Sequence, residues 1–190
     1  VFIEAGLLQM PDQKELNLLE VGLGTGLNAF MTFLENNKNS SRIINYTALE
    51  AFPLDETITG QLNFPEKLNA SEDAPVFMKI HNSAWNGYIS LGPNFNFKKI
   101  LGKLESVEFS QQFDLIYFDA FGPAVQPELW TEEIFQKIAG CMNEGAVLVT
   151  YCAKGEVKRN MKKAGLSVEG IPGPPGKREM IRARKKIGLQ

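Results

Sequence analysis

The 190-residue chain predicts an α/β fold: a doubly wound, mostly parallel sheet that closes with an antiparallel edge hairpin. Three observations predict it. Short apolar runs alternate with helical periodicity along most of the chain, the pattern that lays helices on both faces of a parallel sheet. A glycine-rich turn separates the first apolar run from the first helical segment. Near the C-terminal end, two strand-like segments flank a turn rich in Pro and Gly and read as an antiparallel pair.

Leu16 to Val21 (LNLLEV) is a buried strand running into the glycine turn, and Leu27 to Glu35 is the helix that follows. Ile43 to Glu50 (IINYTALE) is the second strand, ended by Pro53, with Leu54 to Leu62 as the second helix. From Phe64 to Leu101 the chain is interrupted by Pro65, Pro75 and Pro93, and Val76 to Ile80 and Asn94 to Ile100 read as strands. Phe113 to Phe118 (FDLIYF) is a buried strand stopping at Asp119, and Thr131 to Ala139 is the next helix. Asn143-Glu144-Gly145 reads as a turn into the strand Ala146 to Tyr151. Gly155 to Ala164 is a basic helix with Gly165 as its C-terminal stop. Ser167 to Gly170 and Glu179 to Arg184 form the closing pair around Pro172 to Gly176. The whole, residues 1–190, reads as one domain, and the opening VFIEAGLL reads as the middle of something, so an N-terminal segment is expected to be missing.

Composition removes several function classes. With 44% hydrophobic and 22% charged residues the chain fits a globular protein. Its apolar runs are far below the roughly 20 residues that cross a bilayer. Cys141 and Cys152 have no metal-ligand spacing and read as core residues of a reducing compartment, which points to the cytoplasm. His81 is the only histidine, which leaves no His-rich metal site and argues against Ser-His-Asp chemistry.

The turn Glu20-Val21-Gly22-Leu23-Gly24-Thr25-Gly26-Leu27-Asn28 follows a strand and opens a helix, the context in which a glycine motif acquires meaning. A dinucleotide site needs G-x-G-x-x-G, whereas the spacing here is G-x-G-x-G. With its acid two positions before the first glycine, the turn resembles the first motif of S-adenosylmethionine-dependent methyltransferases. Such a site has no pyrophosphate to hold, so a carboxylate beside a sulfonium and an amino group is favourable. Glu50, at the end of the second strand, can accept both hydroxyls of a ribose. Asp119-Ala120-Phe121-Gly122-Pro123 is delivered by the strand Phe113 to Phe118 to the same edge, and combines a carboxylate with an aromatic and a proline, as amine methyltransferases do in their Asp/Asn-Pro-Pro-Tyr loop.

Beyond these, DAFGPAVQPELW (Asp119 to Trp130), ALEAFPL (Ala48 to Leu54), TYCAKGEVKRNMKKAGL (Thr150 to Leu166) and PGPPGKREM (Pro172 to Met180) are similar to one family. It is the methyltransferase domain of the bifunctional tRNA 5-methylaminomethyl-2-thiouridine biosynthesis proteins, together with stand-alone relatives. The resemblance implies a Rossmann-like fold and transfer of a methyl group from S-adenosyl-L-methionine to the amine of 5-aminomethyl-2-thiouridine at the tRNA wobble position. It also implies site residues. Glu20, Gly22, Gly24, Gly26 and Asn28 would surround the methionine end of the cofactor, Glu50 its ribose, and Gly102 its adenine side. Asp119 would orient the substrate amine beside the cofactor, Phe121 would wall the site, and Lys177 would complete it. Pro123, Lys154, Lys158, Arg159 and Arg178 would face the tRNA. One position departs from the family: Gly102 is followed by Lys103 where relatives often carry Asp toward the adenine, and Glu105 is the acid that could replace it. An FAD-dependent oxidase domain, which makes the amine in the bifunctional relatives, does not follow Gln190, so the expectation is a methylase served by a separate oxidase protein.

The net charge of −2 hides an asymmetry: from Lys154 onward 11 Lys/Arg face 3 Asp/Glu, a balance of +8 against −10 before it. A basic end beside a catalytic cleft suits a polyanion such as tRNA, while the plainer reading is a solvated helix face. Trp85 and Trp130 read more readily as packing than as stacking platforms. Three rivals remain open on sequence: a methyltransferase for another amine or small molecule, a nicotinamide-dependent oxidoreductase, and an RNA-binding module without activity.

Overall fold

The structure is a computed structural model, and it describes residues 1–38 and 42–188. Eight strands form one sheet: β1 (Glu15–Val21), β2 (Ile43–Glu50), β3 (Tyr88–Gly92), β4 (Phe95–Leu101), β5 (Phe113–Phe118), β6 (Met142–Thr150), β7 (Leu166–Pro172) and β8 (Glu179–Lys185), in the order β3-β4-β2-β1-β5-β6-β8-β7. Strands β4, β2, β1, β5 and β6 run parallel, while β3 pairs antiparallel with β4 and β8 antiparallel with both β6 and β7. The chain leaves β1 toward β2 and β4, then returns to β5 on β1's other side. That reversal opens a crevice outside the C-terminal ends of β1 and β5, where ligands of such sheets bind.

Alternation along the strands sorts the core. Leu16, Leu18, Tyr46, Leu115 and Tyr117 face one layer, with α1 (Phe2–Ala5) and α2 (Leu27–Lys38) packed over it. Leu19, Leu49, Ile116 and Phe118 face the other, against residues that come mainly from the C-terminal half of the chain. A two-residue period buried on both sides is what a central parallel strand requires.

Several elements differ from expectation. Leu54 to Leu62 yields only the single turn α3 (Glu56–Thr59), started by Asp55, whose carboxylate accepts from the Thr57 amide at 2.8 Å; Gly60 and the short apolar spacing end it. A further turn, α4 (Phe64–Lys67), follows. Val76 to Ile80 is not a strand but the middle of α5 (Ala74–Asn82). Pro75 lies in its first turn, where a missing N–H costs nothing, and Phe77 and Ile80 are buried three residues apart. The irregular stretch instead hides β3, an edge strand with one buried side chain. Asn143-Glu144-Gly145 lies within β6 as an irregularity, where pairing jumps from Phe113↔Met142 to Leu115↔Val147 and Gly145 takes φ +74°. The remaining helices, α6 (Glu132–Gly140) and α7 (Gly155–Lys163), and the closing hairpin fall where the periodicity puts them. No helix among the described residues is long and apolar enough to cross a membrane.

Candidate active site

The crevice is a cleft of about 440 Å³ at the C-terminal edge of the parallel strands. The glycine turn forms its floor. Gly22, Gly24 and Gly26 all take positive φ (90°, 48° and 69°), but they serve different purposes. A Cβ on Gly22 would lie 2.8 Å from the Asp119 carbonyl oxygen, so this glycine lets the turn after β1 lie against the end of β5. One on Gly24 would meet nothing within 4 Å, leaving backbone open to a ligand in the cleft. One on Gly26 would press into Ile80 and His81 of α5; Gly26 does not line the cleft, and its role is to seat α2 on α5.

Glu50 stands on the far wall. Its Oε2 accepts from the Gly24 amide and its Oε1 from the Phe52 amide, at 2.9 and 2.8 Å, which fixes the carboxylate at the rim. Leu49, Ala51, Phe52 and Leu54 continue that wall, and Gly102, Lys103, Leu104 and Glu105 close it. Both Lys103 and Glu105 therefore border the cleft, and Gly102 is held there by its amide donating to the Glu50 carbonyl at 2.9 Å. The fit to a nucleoside is chemical as well as spatial: an open glycine, apolar walls and a rigid carboxylate at the lip.

At the other end lies Asp119, half-buried, with Phe121 67% exposed on the lip beside it. The loop is braced by a Trp130 indole N–H donating to the Phe121 carbonyl at 2.8 Å and by a Tyr151 hydroxyl donating to the Ala120 carbonyl at 2.8 Å. Trp130 is buried against Phe118, Phe135 and Tyr151, so it is packing and not a base platform. Trp85 carries the Lys99 ammonium 4.5 Å above its ring. Lys177, on the turn between β7 and β8, lies 4.0 Å over the Tyr151 ring and is near enough to favour the charged form of Asp119. Burial outweighs that attraction and the Asn28 hydrogen bond, and pushes the Asp119 carboxyl up to about 6.

Glu20 is placed differently from the expectation. It is 0% exposed and does not line the cleft, whereas Asn28, which bonds it, does. Asn28 Nδ2 donates to Glu20 Oε1 and to Asp119 Oδ2, each at 2.9 Å, and the Tyr46 hydroxyl donates to Glu20 Oε2 at 2.8 Å. No cation forms an ion pair with Glu20 among the described residues. Desolvation therefore dominates, and the carboxyl is pushed up to about 8 despite both hydrogen bonds.

The residues expected to face tRNA are dispersed. Pro123 is half-buried on the Asp119 loop and does not line the cleft. Lys154, Arg159 and Arg178 are exposed, whereas Lys158 is engaged by Glu179 at 2.7 Å and Lys163 by Glu132 at 3.2 Å. Tyr46 and Tyr151 were not singled out by sequence; a tyrosine within an apolar strand looks like any other core aromatic.

Comparison with known proteins agrees with this geometry. Residues 82–186 match the family model of S-adenosyl-L-methionine-dependent methyltransferases. The chain is 32% identical over 175 residues to the tRNA 5-methylaminomethyl-2-thiouridine biosynthesis bifunctional protein MnmC of Campylobacter hominis, covering 90% of this chain and 26% of that protein. It is 29% identical over 182 residues to the Leptospira borgpetersenii protein of the same name, with 89% and 27% covered. It thus spans about a quarter of the length of the curated relatives it matches. Among solved structures, MNMC2 from Aquifex aeolicus superposes with a TM-score of 0.73 at 22% identity over 94% of this chain and 56% of that one, which shows the shared fold. The glycine turn, the rim carboxylate and the strand-end acid thus sit in a methyltransferase sheet, and the chain belongs to the S-adenosyl-L-methionine-dependent methyltransferase family.

Proposed function

We propose that this protein methylates the primary amine of 5-aminomethyl-2-thiouridine at the tRNA wobble position, giving 5-methylaminomethyl-2-thiouridine. The observation that carries the reading is Asp119, a half-buried acid at the switch point of the sheet with an exposed aromatic beside it. The name borne by the relatives at 32% and 29% identity supports the choice of acceptor.

When bound, S-adenosylmethionine supplies a methyl on a sulfonium: its C–S bond breaks as the N–C bond forms, leaving neutral S-adenosylhomocysteine and a secondary ammonium. The chain's own residues do the rest. Asp119, ionised above about pH 6, accepts an N–H of the amine and aims the nitrogen lone pair; a proton must leave the substrate ammonium before attack, and this carboxylate can take it. Orientation supplies much of the acceleration in such a displacement. Phe121 shields the nitrogen from water. Glu50 holds the ribose, and Gly24 allows close approach of the methionine end over a turn that Gly22 seats against β5. Lys177 keeps Asp119 charged, while Lys154, Arg159 and Arg178 meet phosphates of a cytoplasmic tRNA whose amine an oxidase, in the same or another protein, has made available.

Incubation with labelled S-adenosylmethionine and undermodified tRNA, followed by nucleoside digestion, tests it. Label in 5-methylaminomethyl-2-thiouridine is expected, reduced about a hundredfold or more by Asp119→Ala with cofactor affinity changed less than about threefold. Label in small amines but not in tRNA overturns the acceptor; equal losses of turnover and affinity overturn the role of Asp119.

A further inference from the structure

Asn28, in the first turn of α2, donates to two acids at once. A primary amide has two N–H donors, and one nitrogen here lies 2.9 Å from both Glu20 Oε1 and Asp119 Oδ2. The other oxygen of Glu20 is taken by the Tyr46 hydroxyl at 2.8 Å. The result is a continuous chain: Tyr46 on β2, Glu20 on β1, Asn28 on α2, Asp119 at the end of β5. Tyr46 is itself immobilised, fully buried and in ring contact with Phe95, Phe97 and Tyr117. It does not line the cleft.

We propose that Asn28 and Tyr46 are positioning residues for methyl transfer, acting through Glu20 and through Oδ2 of Asp119 to leave Oδ1 as the oxygen that meets the acceptor amine. This rests on the reading of Asp119 as the amine-facing acid. With Oδ2 tied, Oδ1 takes no hydrogen bond among the described residues, and rotation of the carboxylate would break the chain. The link also biases charge. An amide donor favours the ionised acid, so Asn28 holds Asp119 in its accepting form. The groups that face Asp119 are Asn28 from α2, Lys177 from the β7–β8 turn and Tyr151 just after β6, with Glu20 of β1 behind Asn28.

The test compares wild type, Asn28→Ala and Tyr46→Phe in kcat against pH, S-adenosylmethionine affinity by calorimetry, and carbon-13 titration of the Asp119 carboxyl in cofactor-free protein. Loss of the Asn28 donor is expected to move the acid limb and the Asp119 titration up by about one pH unit and to cut kcat at neutral pH about tenfold. Tyr46→Phe keeps the ring and is expected to lower kcat about threefold with cofactor affinity unmoved. If Asn28→Ala weakens cofactor binding while the acid limb and the titration stay in place, the proposal is overturned. Should that variant not fold, a Tyr46→Phe enzyme with wild-type kcat and titration overturns it equally. A wild-type protein that leaves tRNA unlabelled, yet whose Asp119 titration responds to Asn28→Ala, upholds the chain and refutes only the acceptor.

Discussion

Replacing Glu20 by glutamine removes one ionisable proton from the centre of the molecule while keeping the shape and the number of hydrogen bonds. A protonated carboxyl and an amide both offer one acceptor oxygen to Asn28 and, toward Tyr46, a donor to its hydroxyl oxygen in place of the acceptor that the ionised carboxylate presents. Burial raises Glu20 from 4.5 to about 8, so between those values the folded protein keeps a proton that the unfolded chain releases. Stability must then fall as pH rises through this window and level off above it. The full shift corresponds to about 5 kcal/mol, a large share of the 5–15 kcal/mol typical of a domain. Denaturant unfolding of both proteins at intervals from about pH 5 to about pH 9 reads the effect, because groups common to both cancel in the difference. Wild type is expected to match the glutamine variant at the acid end and to lose several kcal/mol relative to it at the alkaline end. Parallel curves, or a variant less stable at high pH, would refute the claim that this acid is buried without a compensating cation.

Three further outcomes are expected. Lys177→Met removes the cation that favours charged Asp119, so the acid limb of turnover should move to higher pH by less than about one unit, Lys177 being exposed; a limb that stays in place would separate Lys177 from Asp119. Gly22→Ala combines φ +90° with a Cβ 2.8 Å from the Asp119 carbonyl oxygen and should cost more than about 2 kcal/mol, whereas a wild-type melting temperature would show that the two strand ends can part freely. Neutralising Lys154, Arg159 and Lys162 together should reduce the salt dependence of tRNA binding by about two to three in the logarithmic slope, and an unchanged slope would make this helix face a solvated surface only.

Much of this was legible because strands of a doubly wound sheet deliver function at their C-terminal ends. Glu50 and Asp119 each end an apolar run, and the glycine spacing separates a sulfonium site from a dinucleotide site. What stayed hidden depends on contacts between distant segments. Val76 to Ile80 is apolar enough for a strand, and only packing of Phe77 against Phe30 and Phe64 reveals a helix. Glu20 reads as a cofactor contact, since nothing local says that Asn28 covers it. Tyr151 gains its importance from Lys177, 26 positions later on the turn between β7 and β8. The net charge of the C-terminal region overstates its free cations, because pairing with Glu179, Glu132 and Glu169 across elements is invisible in a linear count.

The placement of β8 between β6 and β7 has a consequence for synthesis. A chain emerging from the ribosome can assemble the parallel strands and the glycine turn while β6 still presents a bare edge, and β7 has no neighbour at all until β8 arrives. Unpaired edges of this kind invite pairing with other chains. The same late insertion sets Lys177 over Tyr151, so the cleft takes shape before this cation is in place beside it. Docking of β8 thus seals the sheet against aggregation in the same step that sets Lys177 beside Tyr151 and Asp119.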